Sequence, residues 1–555
     1  MRPVVKNYEL IVMRHAVSNF EFEGVAKFIK YNGVGILKLR TWGVVLGVSV
    51  LAGIMLPAAL AQASVPESGE RADVLGQAAP ATEIPGAEAA TSTPSYYRPV
   101  RGFGLQRQAE PPAYVRPFEE TWLKADEGSK KVDWLSLGLE SRLRYEYRDN
   151  DFRRKTDTTD QPILERTRFY ASVKDKSNPL GFTVELQDSR RFNSVWSSDN
   201  KDINKLDAIQ LYGEVYLKDA LGVDDRGNAR PIDVQVGRIS FELTDKRLIA
   251  RNEWRNTTNA FQGVRTILGQ QGSDWQANVF ALQPVIRLTD RADEVDRANW
   301  LYGTAFDWRK WSDVVTLQPY YYLLRQNANQ VKYASDGTLA TPSAQVNREI
   351  HTGGLRGYGV VDKTGLDYDL NYAKQWGDNG GKTQDAYAYN VEVGYIVEQS
   401  WKMRLSSSLG FASGDKDPND SKSQRFERLF GLSRGWSASD YIQMENIYTP
   451  KVRAEVSPTS QIKADIGYNW YQLASATDRW NGGAALQDKK GLSGKNIGEE
   501  FDVNMRYTPN KYLMLRIGYA HFMAGDFTKK TSQLIELGRK ENSSLVYIET
   551  TLYAF

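Results

Sequence analysis

The sequence predicts an all-β fold, a transmembrane antiparallel β-barrel of about 18 strands with long external loops and short periplasmic turns. Three observations predict it: segments in which apolar and polar residues alternate, connections that alternate in length, and aromatic residues at strand ends. The alternation continues from Asp133 to Phe555 without a break in composition. We therefore expect one large barrel over residues 133–555 rather than several soluble domains.

Residues 1–61 are expected to be a targeting segment. Basic residues precede an apolar run from Gly43 to Leu60, and small residues follow, so cleavage is expected near Gln62 or Ser64. An uncleaved helical anchor is the alternative, because the run is nearly long enough to span a bilayer. The segment holds seven Lys/Arg and three Asp/Glu, and its removal leaves 64 basic against 65 acidic residues, a net charge of −1. The basicity of the full chain therefore says nothing about nucleic acid.

Residues 62–132 are expected to be a flexible periplasmic N-terminal arm, because they are rich in Pro, Ala, Glu and Ser and show little periodicity. The arm either docks a partner of a periplasmic export complex or is a plain disordered leader to the barrel.

Composition excludes several kinds of site. The chain has no cysteine, which rules out disulfides, thiolate metal sites and cysteine nucleophiles, and it has only three histidines. The sequence contains no phosphate-binding glycine loop, metal-ligand spacing or nucleic-acid module. We expect no catalytic residue, no metal and no cofactor.

The first strand shows the alternation most clearly. Its apolar phase contains Leu135, Leu137, Leu139, Leu143, Tyr145 and Tyr147, and its polar phase contains Glu140, Arg142, Arg144, Glu146 and Arg148. This period of two gives one oily and one charged face, and its length suits a tilted strand that crosses a bilayer. Charged residues that face inward then indicate a polar lumen.

The remaining strands repeat this pattern. They are expected to begin near Ile163, Gly181, Leu206, Ile232, Asn259, Ser273, Asn299, Asp313, Ile350, Gly365, Asp385, Trp401, Ser439, Lys451, Gln461 and Glu499, with two more in the stretch from Lys511 to Ser543. The segments near Ser439 and Lys451 are alternatively one strand.

The connections between these strands alternate in length. Short ones are expected at 175–180, 268–272, 311–312, 362–364 and 509–511, and long polar ones at 327–348, 414–438, 475–498 and 524–542. A barrel with both termini in the periplasm has short turns at one end and long loops at the other. This rhythm favours a barrel over a soluble β-sandwich or β-helix.

Aromatic residues on the apolar phase, such as Trp300, Tyr302 and Trp308, predict a girdle at the membrane–water boundary. The last strand is less regular, because Tyr553 and Phe555 share a phase with Glu549 and Thr551. A bulge or a rim position for Glu549 would explain this mixed phase.

Several stretches resemble one family of outer-membrane proteins. They are Leu186–Arg190, Gly237–Phe241, Lys246–Ile249, Trp254–Thr257, Phe261–Arg265, Phe280–Val285, Ser413–Pro418, Leu473–Asp478 and Gly518–Phe527. In their order and spacing they resemble the alginate export family of porins over most of residues 133–555.

The resemblance implies a passive pore in the outer membrane of a Gram-negative bacterium that passes an anionic uronate polysaccharide. It also implies a lumen constricted by loops and lined by arginines, and the arginines that fit are Arg166 or Arg168, Arg434 and Arg516. The sequence departs from the family at Ser240, where the family can carry a lumen arginine. The nearby Arg238 falls on the apolar phase of its strand.

The residues make a separate case for anion binding. A polyuronate carries one carboxylate per sugar, and guanidinium groups bind carboxylates bidentately without titrating. Arg142, Arg144 and Arg404 also fall on lumen phases and are further candidates for substrate binding. Acidic residues share these phases, so the alternative is that the charges form a structural ladder across the lumen.

The favoured function is export of an anionic exopolysaccharide, with alginate as the favoured polymer. The alternative is a general or nutrient-uptake porin for small anions or sugars. An enzyme would need a positioned nucleophile and base, which the sequence does not show, and a non-porin adhesin has no sequence feature in its favour. The expected partners are the uronate polymer and outer-membrane lipid, and no nucleic acid.

Overall fold

The structure, a computed structural model, describes residues 94–102, 109–123, 132–155, 157–175, 177–333, 338–361, 363–398 and 400–555. The predicted targeting segment, residues 1–61, lies outside these ranges, as does the predicted cleavage position. The segment boundaries at 61 and 132 stay predictions.

Eighteen antiparallel strands of the described residues form a closed barrel, as predicted. They are β1 (Leu135–Asp149), β2 (Ile163–Lys174), β3 (Leu180–Phe192), β4 (Asn204–Leu217), β5 (Ile232–Ile239), β6 (Phe261–Gly269), β7 (Trp275–Ile286), β8 (Asn299–Trp308), β9 (Thr316–Gln326), β10 (Arg348–Val361), β11 (Leu366–Asn379), β12 (Thr383–Glu398), β13 (Met403–Ala412), β14 (Ile447–Val456), β15 (Ile462–Gln472), β16 (Asn496–Asn510), β17 (Leu513–Ala524) and β18 (Asn542–Tyr553). Each strand pairs with its neighbours in sequence, and β18 closes the ring on β1, from Glu140 opposite Tyr553 to Asp149 opposite Ser544.

Short elements complete the described residues. They are the two- or three-residue strands Val115–Pro117, Thr159–Asp160, Glu294–Val295 and Lys422–Ser423, the 3-10 turns Phe118–Glu120 and Pro342–Ala344, and the helices α1 (Asp526–Thr531) and α2 (Leu534–Leu537). In this part of the chain, no helix combines the length and hydropathy needed to cross a membrane.

The two faces of the strands differ as the alternation predicts. On β1 the polar residues Glu140, Arg142, Arg144, Glu146 and Arg148 point into the barrel and are at most 6 % exposed. On β11 the apolar residues Leu370 and Tyr372 point outward and are 42 % and 50 % exposed. Because polar groups fill the interior and apolar groups cover the outside, the barrel suits a bilayer rather than water.

Aromatic residues mark both ends of the outer surface on β8. Trp300 and Tyr302 stack near the long-loop end, with ring centroids 5.6 Å apart. Trp308 lies near the short-turn end and contacts Trp311 at 6.0 Å. This arrangement agrees with the predicted girdle.

The predicted strand near Ser439 is wrong. Residues 413–446 form a loop, and Lys451 lies within the single strand β14, which pairs with β13 and β15. Ser439 donates its backbone N–H to the carboxylate of Glu500, on the inner wall of β16, at 3.0 Å. A long-range contact, which local periodicity does not report, holds this segment out of the sheet.

The mixed phase of the last strand needs neither a bulge nor a rim position. The pairing of β17 with β18 runs without a shift from Met523–Asn542 to Leu513–Leu552. Glu549 points into the lumen and is 2 % exposed, whereas Ile548 and Leu552 face outward. The terminal Phe555 is buried against Trp122 of the arm, at a distance of 5.9 Å between ring centroids. Its side chain therefore contacts the protein rather than lipid.

Arg238 lies outside the lumen. It shares the outward phase of Val236 and pairs with Asp207 of β4 at 2.8 Å. Ser240 ends the strand region and donates to the carbonyl oxygen of Asn259 at 2.6 Å. No lumen arginine therefore comes from residues 238–240.

Candidate functional site

Two long loops fold into the barrel and meet there. We name residues 240–260, between β5 and β6, loop A, and residues 413–446, between β13 and β14, loop B. Phe430 of loop B donates to the carbonyl of Leu248 at 2.9 Å and accepts from Ala250 at 3.2 Å, so the two loops pair like short parallel strands. Ile249 belongs to a hydrophobic cluster that includes wall residues, and Phe430 packs against this cluster. The loops constrict the lumen as one unit.

A glycine permits this junction. A Cβ atom at Gly431 would lie 1.7 Å from the carbonyl oxygen of Arg247 on loop A. No side chain fits at that separation, so only glycine allows the two backbones to approach so closely.

Loop A is fastened to the wall by the predicted substrate-binding arginines of β1. Arg142 donates to the carbonyl oxygens of Glu253 at 2.8 Å and Arg255 at 3.0 Å. Arg144 donates to the carbonyl oxygen of Trp254 at 2.7 Å. Carbonyls of an irregular loop need donors when they are buried, and these guanidinium groups supply them.

The predicted arginines of β2 hold the same part of loop A through a carboxylate. Arg166 and Arg168 donate to Glu253 at 3.2 and 2.6 Å. Burial opposes ionisation of Glu253, but Arg168 and Arg166 outweigh it and hold the pKa of its carboxyl well below the usual range. Arg142, Arg144, Arg166 and Arg168 are at most 3 % exposed. They are partners of loop A, and their contact with a substrate stays a prediction.

Arg434 reaches the lumen because loop B folds inward. Its guanidinium carbon lies 3.5 Å from the ring centroid of Trp254, and Arg144 contacts the same ring at 4.0 Å. Arg434 also donates to the hydroxyl of Tyr547 on β18 at 3.3 Å. Trp254 thus links loop A, loop B and the wall through cation–π contacts.

The loops leave a cavity of about 540 Å³, which we name the chamber, against β1, β2 and β14 to β18. This volume lies in the range of roughly 300–1,000 Å³ that small-molecule sites occupy. Basic side chains on its wall outnumber acidic ones. The basic ones are Arg142, Arg166, Lys246, Arg434, Lys451, Arg453, Lys463, Arg506 and Arg516, and the acidic ones are Glu140, Glu242, Glu253, Asp465, Asp502 and Glu549.

Three cations of the chamber stand side by side. Lys463 of β15 is paired in register with Arg506 of β16, and Arg506 is paired with Arg516 of β17. Like charges directly opposite one another destabilise a sheet unless an anion offsets them. We name Lys463, Arg506 and Arg516 the cation row.

A carboxylate beside the cation row, that of Glu549, is shared among several arginines. Glu549 of β18 stands opposite Arg516, at 3.5 Å, and lies 3.2 Å from Arg144 and 3.8 Å from Arg142. Asp502 is held by Arg453 at 2.9 Å. Because Glu549 is shared by three arginines and the chamber is lined by nine basic and six acidic side chains, the chamber carries an excess of positive charge.

Arg404 lies away from the chamber and has three carboxylate partners. Asp367 and Glu455 contact it at 2.6 Å and Glu392 at 2.8 Å. It lines a second cavity of about 80 Å³. The structure therefore brings Arg142, Arg166, Arg434 and Arg516 together in the chamber, while Arg144 and Arg168 lie beneath loop A and Arg404 lies apart.

Sequence reasoning did not identify Glu253, Trp254 and Lys463, which the structure places at the chamber. Lys463 alternates with Asp465 on the lumen phase, and this signal could have identified it. Glu253 and Trp254 lie on loop A, which has no periodicity, and only the resembling segment Trp254–Thr257 pointed to this region.

Comparisons with known proteins agree with the barrel. The chain is similar in fold to OpdQ of Pseudomonas aeruginosa, at 13 % identity and a TM-score of 0.50, over 76 % of this chain and 97 % of OpdQ. It is similar to OccAB1 of Acinetobacter baumannii at 12 % identity and a TM-score of 0.50, over 76 % of this chain and 97 % of OccAB1. A comparison with curated protein sequences returns no match.

The sequence pattern of one family, described as alginate export, matches residues 133–535, which include both loops and all but the last strand. The barrel is a porin of the Gram-negative outer membrane. Its family was the one expected from the resembling segments, and the match confirms it: the chain belongs to the alginate export family.

Proposed function

We propose that this porin is a passive export channel for an anionic exopolysaccharide of the uronate type, with alginate as the polymer. The cation row carries the proposal. Lys463, Arg506 and Arg516 lie in register on neighbouring strands, facing the chamber, so that carboxylates along a polymer can pass from one to the next. Weak repeated sites of this kind allow conduction, whereas one tight site would trap the polymer.

The arrangement of charge also supports an anionic polymer over a neutral one. The chain after residue 61 is nearly neutral, yet the chamber wall carries more basic than acidic groups. Because the local field rather than the net charge selects ions in a narrow lumen, the channel prefers anions.

Planar bilayer recordings test this function. The reversal potential under a salt gradient should show anion preference, and a polyuronate should block the current at concentrations where a dextran of equal length does not. A clear preference for cations, or equal block by dextran, contradicts the proposal. Anion preference with passage of small sugar acids but no block by polyuronate would favour an uptake porin instead.

A further inference from the structure

Residues 94–102 of the N-terminal arm lie along the rim of the barrel at the short-turn end. Tyr96 donates its backbone N–H to Gly272, in the turn between β6 and β7, at 2.9 Å. Arg98 pairs with Asp313, in the turn between β8 and β9, at 2.9 Å. Further along, Arg101 donates to the carbonyl of Gly365, between β10 and β11, at 2.8 Å. Residues 94–102 thus contact three successive turns of one rim.

Residues 109–123 contact the other part of the barrel, from β6 to β1. Val115–Pro117 pairs antiparallel with Ser136–Gly138, the stretch of β1 that extends beyond the end of β18. Trp122 then donates its indole N–H to the carbonyl of Ala554 at 2.6 Å. The two described arm segments, which we name the strap, are therefore bound on both sides of the periplasmic mouth.

An acidic side chain of the strap pairs with an arginine of the lumen wall. The Glu110 carboxylate accepts hydrogen bonds from both terminal nitrogens of Arg265 on β6, at 3.1 and 3.4 Å. Arg265 is 2 % exposed and is oriented by Asn278, to which it donates at 2.7 Å. A planar guanidinium held in this way presents its fork to one carboxylate. The Glu110 side chain has the chemistry of a uronate carboxylate at this place.

The strap shares its wall contacts with loop A. Tyr114 donates to the carboxylate of Glu185 on β3, and Arg251 of loop A donates to the same carboxylate at 2.7 Å. Arg265, the partner of Glu110, also stacks on Phe241 of loop A at 4.4 Å. Displacement of the strap would therefore loosen two of the wall residues that hold the constriction.

The strap also forms part of the lining of both cavities. Ala109, Ala113 and Tyr114 line the chamber, and Val100 and Gly102 line the cavity at Arg404. Tyr114 is only 1 % exposed, so it is packed as a wall residue is. A polymer that crosses from the periplasm has to pass these residues.

We propose that the strap is a displaceable closure of the periplasmic mouth, in which Glu110 occupies a carboxylate-binding site on Arg265, and that an anionic polymer displaces the strap and enters the lumen by competing for that arginine. The proposal rests on the proposed function only for the identity of the competing ligand.

A reversible disulfide tests whether the strap has to move. The chain has no cysteine, so S95C/G272C introduces the only pair. Ser95 Oγ lies 3.5 Å from the position of a Cβ at Gly272, within reach of a disulfide. In planar bilayers, the oxidised full-length protein should conduct at least fivefold less than the reduced protein, and reduction should restore the current together with its block by a polyuronate. The cysteine-free parent under the same oxidant is the control. Equal conductance of the oxidised and reduced forms overturns the proposal.

A second variant tests the Arg265 site without a crosslink. Glu110→Gln removes the competing charge, so the channel should open more often without polymer, and severalfold less polyuronate should block half of its current. The matched control is Glu349→Gln, which removes the carboxylate partner of Arg325 at 2.6 Å, on the outer surface of the barrel. If Glu110→Gln behaves like the parent, Arg265 is not the carboxylate-binding site that holds the strap.

The outcomes separate this closure from the proposed function. If both redox states show anion preference and polyuronate block at equal conductance, the closure is wrong and the export function stands. If conductance depends on the redox state but neither state is blocked by polyuronate, the strap closes the mouth and the proposed ligand is wrong.

Discussion

Arginines of the lumen differ in the partners that they have in the folded chain. Arg142 and Arg168 bind loop A, at its carbonyls and at Glu253, and are almost fully buried. Arg516 instead faces the chamber with its side chain 28 % exposed and pairs with Glu549 at 3.5 Å. Buried arginines that satisfy loop carbonyls stabilise the constriction, whereas an arginine in water-filled space can exchange partners with a passing anion.

Arg516→Glu should therefore reduce selectivity without unfolding the barrel. The change reverses one charge of the cation row. At a distance of roughly 7 Å from a polymer carboxylate in water, this reversal costs about 1 kcal/mol of interaction free energy. Half-block by polyuronate should require roughly fivefold more polymer, since each 1.4 kcal/mol is a factor of ten. Bilayer recordings measure both the block and the reversal potential, and the outward-facing apolar residues are unchanged.

The matched control is Arg190→Glu, which reverses a charge on the outward phase of β3, where the side chain is 49 % exposed. Its block and selectivity should equal those of the parent. If Arg516→Glu also behaves like the parent, Arg516 is a ladder charge and has no substrate role.

Loops A and B act as one element, because each supplies backbone groups that the other needs. Leu432 donates to the carbonyl of Lys246 at 3.0 Å, next to the pairing of Phe430 with Leu248 and Ala250. A loop inside a barrel has no sheet edge of its own to satisfy these groups, so the pair of loops has to form together.

Gly431→Ala should separate the two loops. The new Cβ would lie 1.7 Å from the carbonyl oxygen of Arg247, a clash that the backbone can relieve only by moving. Overpacking of this kind costs roughly 1–3 kcal/mol. We expect a larger and noisier single-channel conductance, measured in bilayers, with the heat resistance of the barrel on gels unchanged.

Gly213→Ala on β4 is the control for the loop variant, because the nearest atom to its Cβ would be 4.0 Å away, in open contact. It should conduct like the parent. A Gly431→Ala channel with parental conductance and noise would show that the loop junction does not set the size of the lumen.

At the scale of the whole molecule, the first strand begins and the last strand ends at the rim with the short turns. β1 begins at Leu135 and β18 ends at Tyr553 there, while the long loops, including loops A and B, leave the opposite rim. This polarity puts the arm at the periplasmic mouth and the constricting loops on the external side. The polymer would therefore meet the strap and the cation row before the loops.

Maturation can be tested on the whole molecule. Protein isolated from outer membranes should begin near Gln62 or Ser64, because a basic region and an apolar run precede small residues there. N-terminal sequencing measures this start directly. An intact Met1 terminus on protein in the inner membrane would contradict the predicted cleavage.

Periodicity, together with the lengths of the connections, was sufficient to predict the barrel, a number of about 18 strands and the inward side of most strands. Each strand carries its own alternation, so a local pattern reports which residues face lipid and which face the lumen. The inward direction of Arg142, Arg404 and Arg516 followed from that pattern. The prediction of a strand near Ser439 was wrong because short alternation also occurs in a loop whose contacts are long-range.

Only the tertiary structure decided what those inward residues bind. Arg168 meets Glu253 and Arg404 meets Asp367, partners that are distant in sequence and brought together by neighbouring strands or an inward loop. The paths of loop A, loop B and the strap are likewise set by contacts across the lumen, for which the sequence has no local period. Alternation is a property of one strand, whereas a partner in the lumen depends on the closure of the whole barrel.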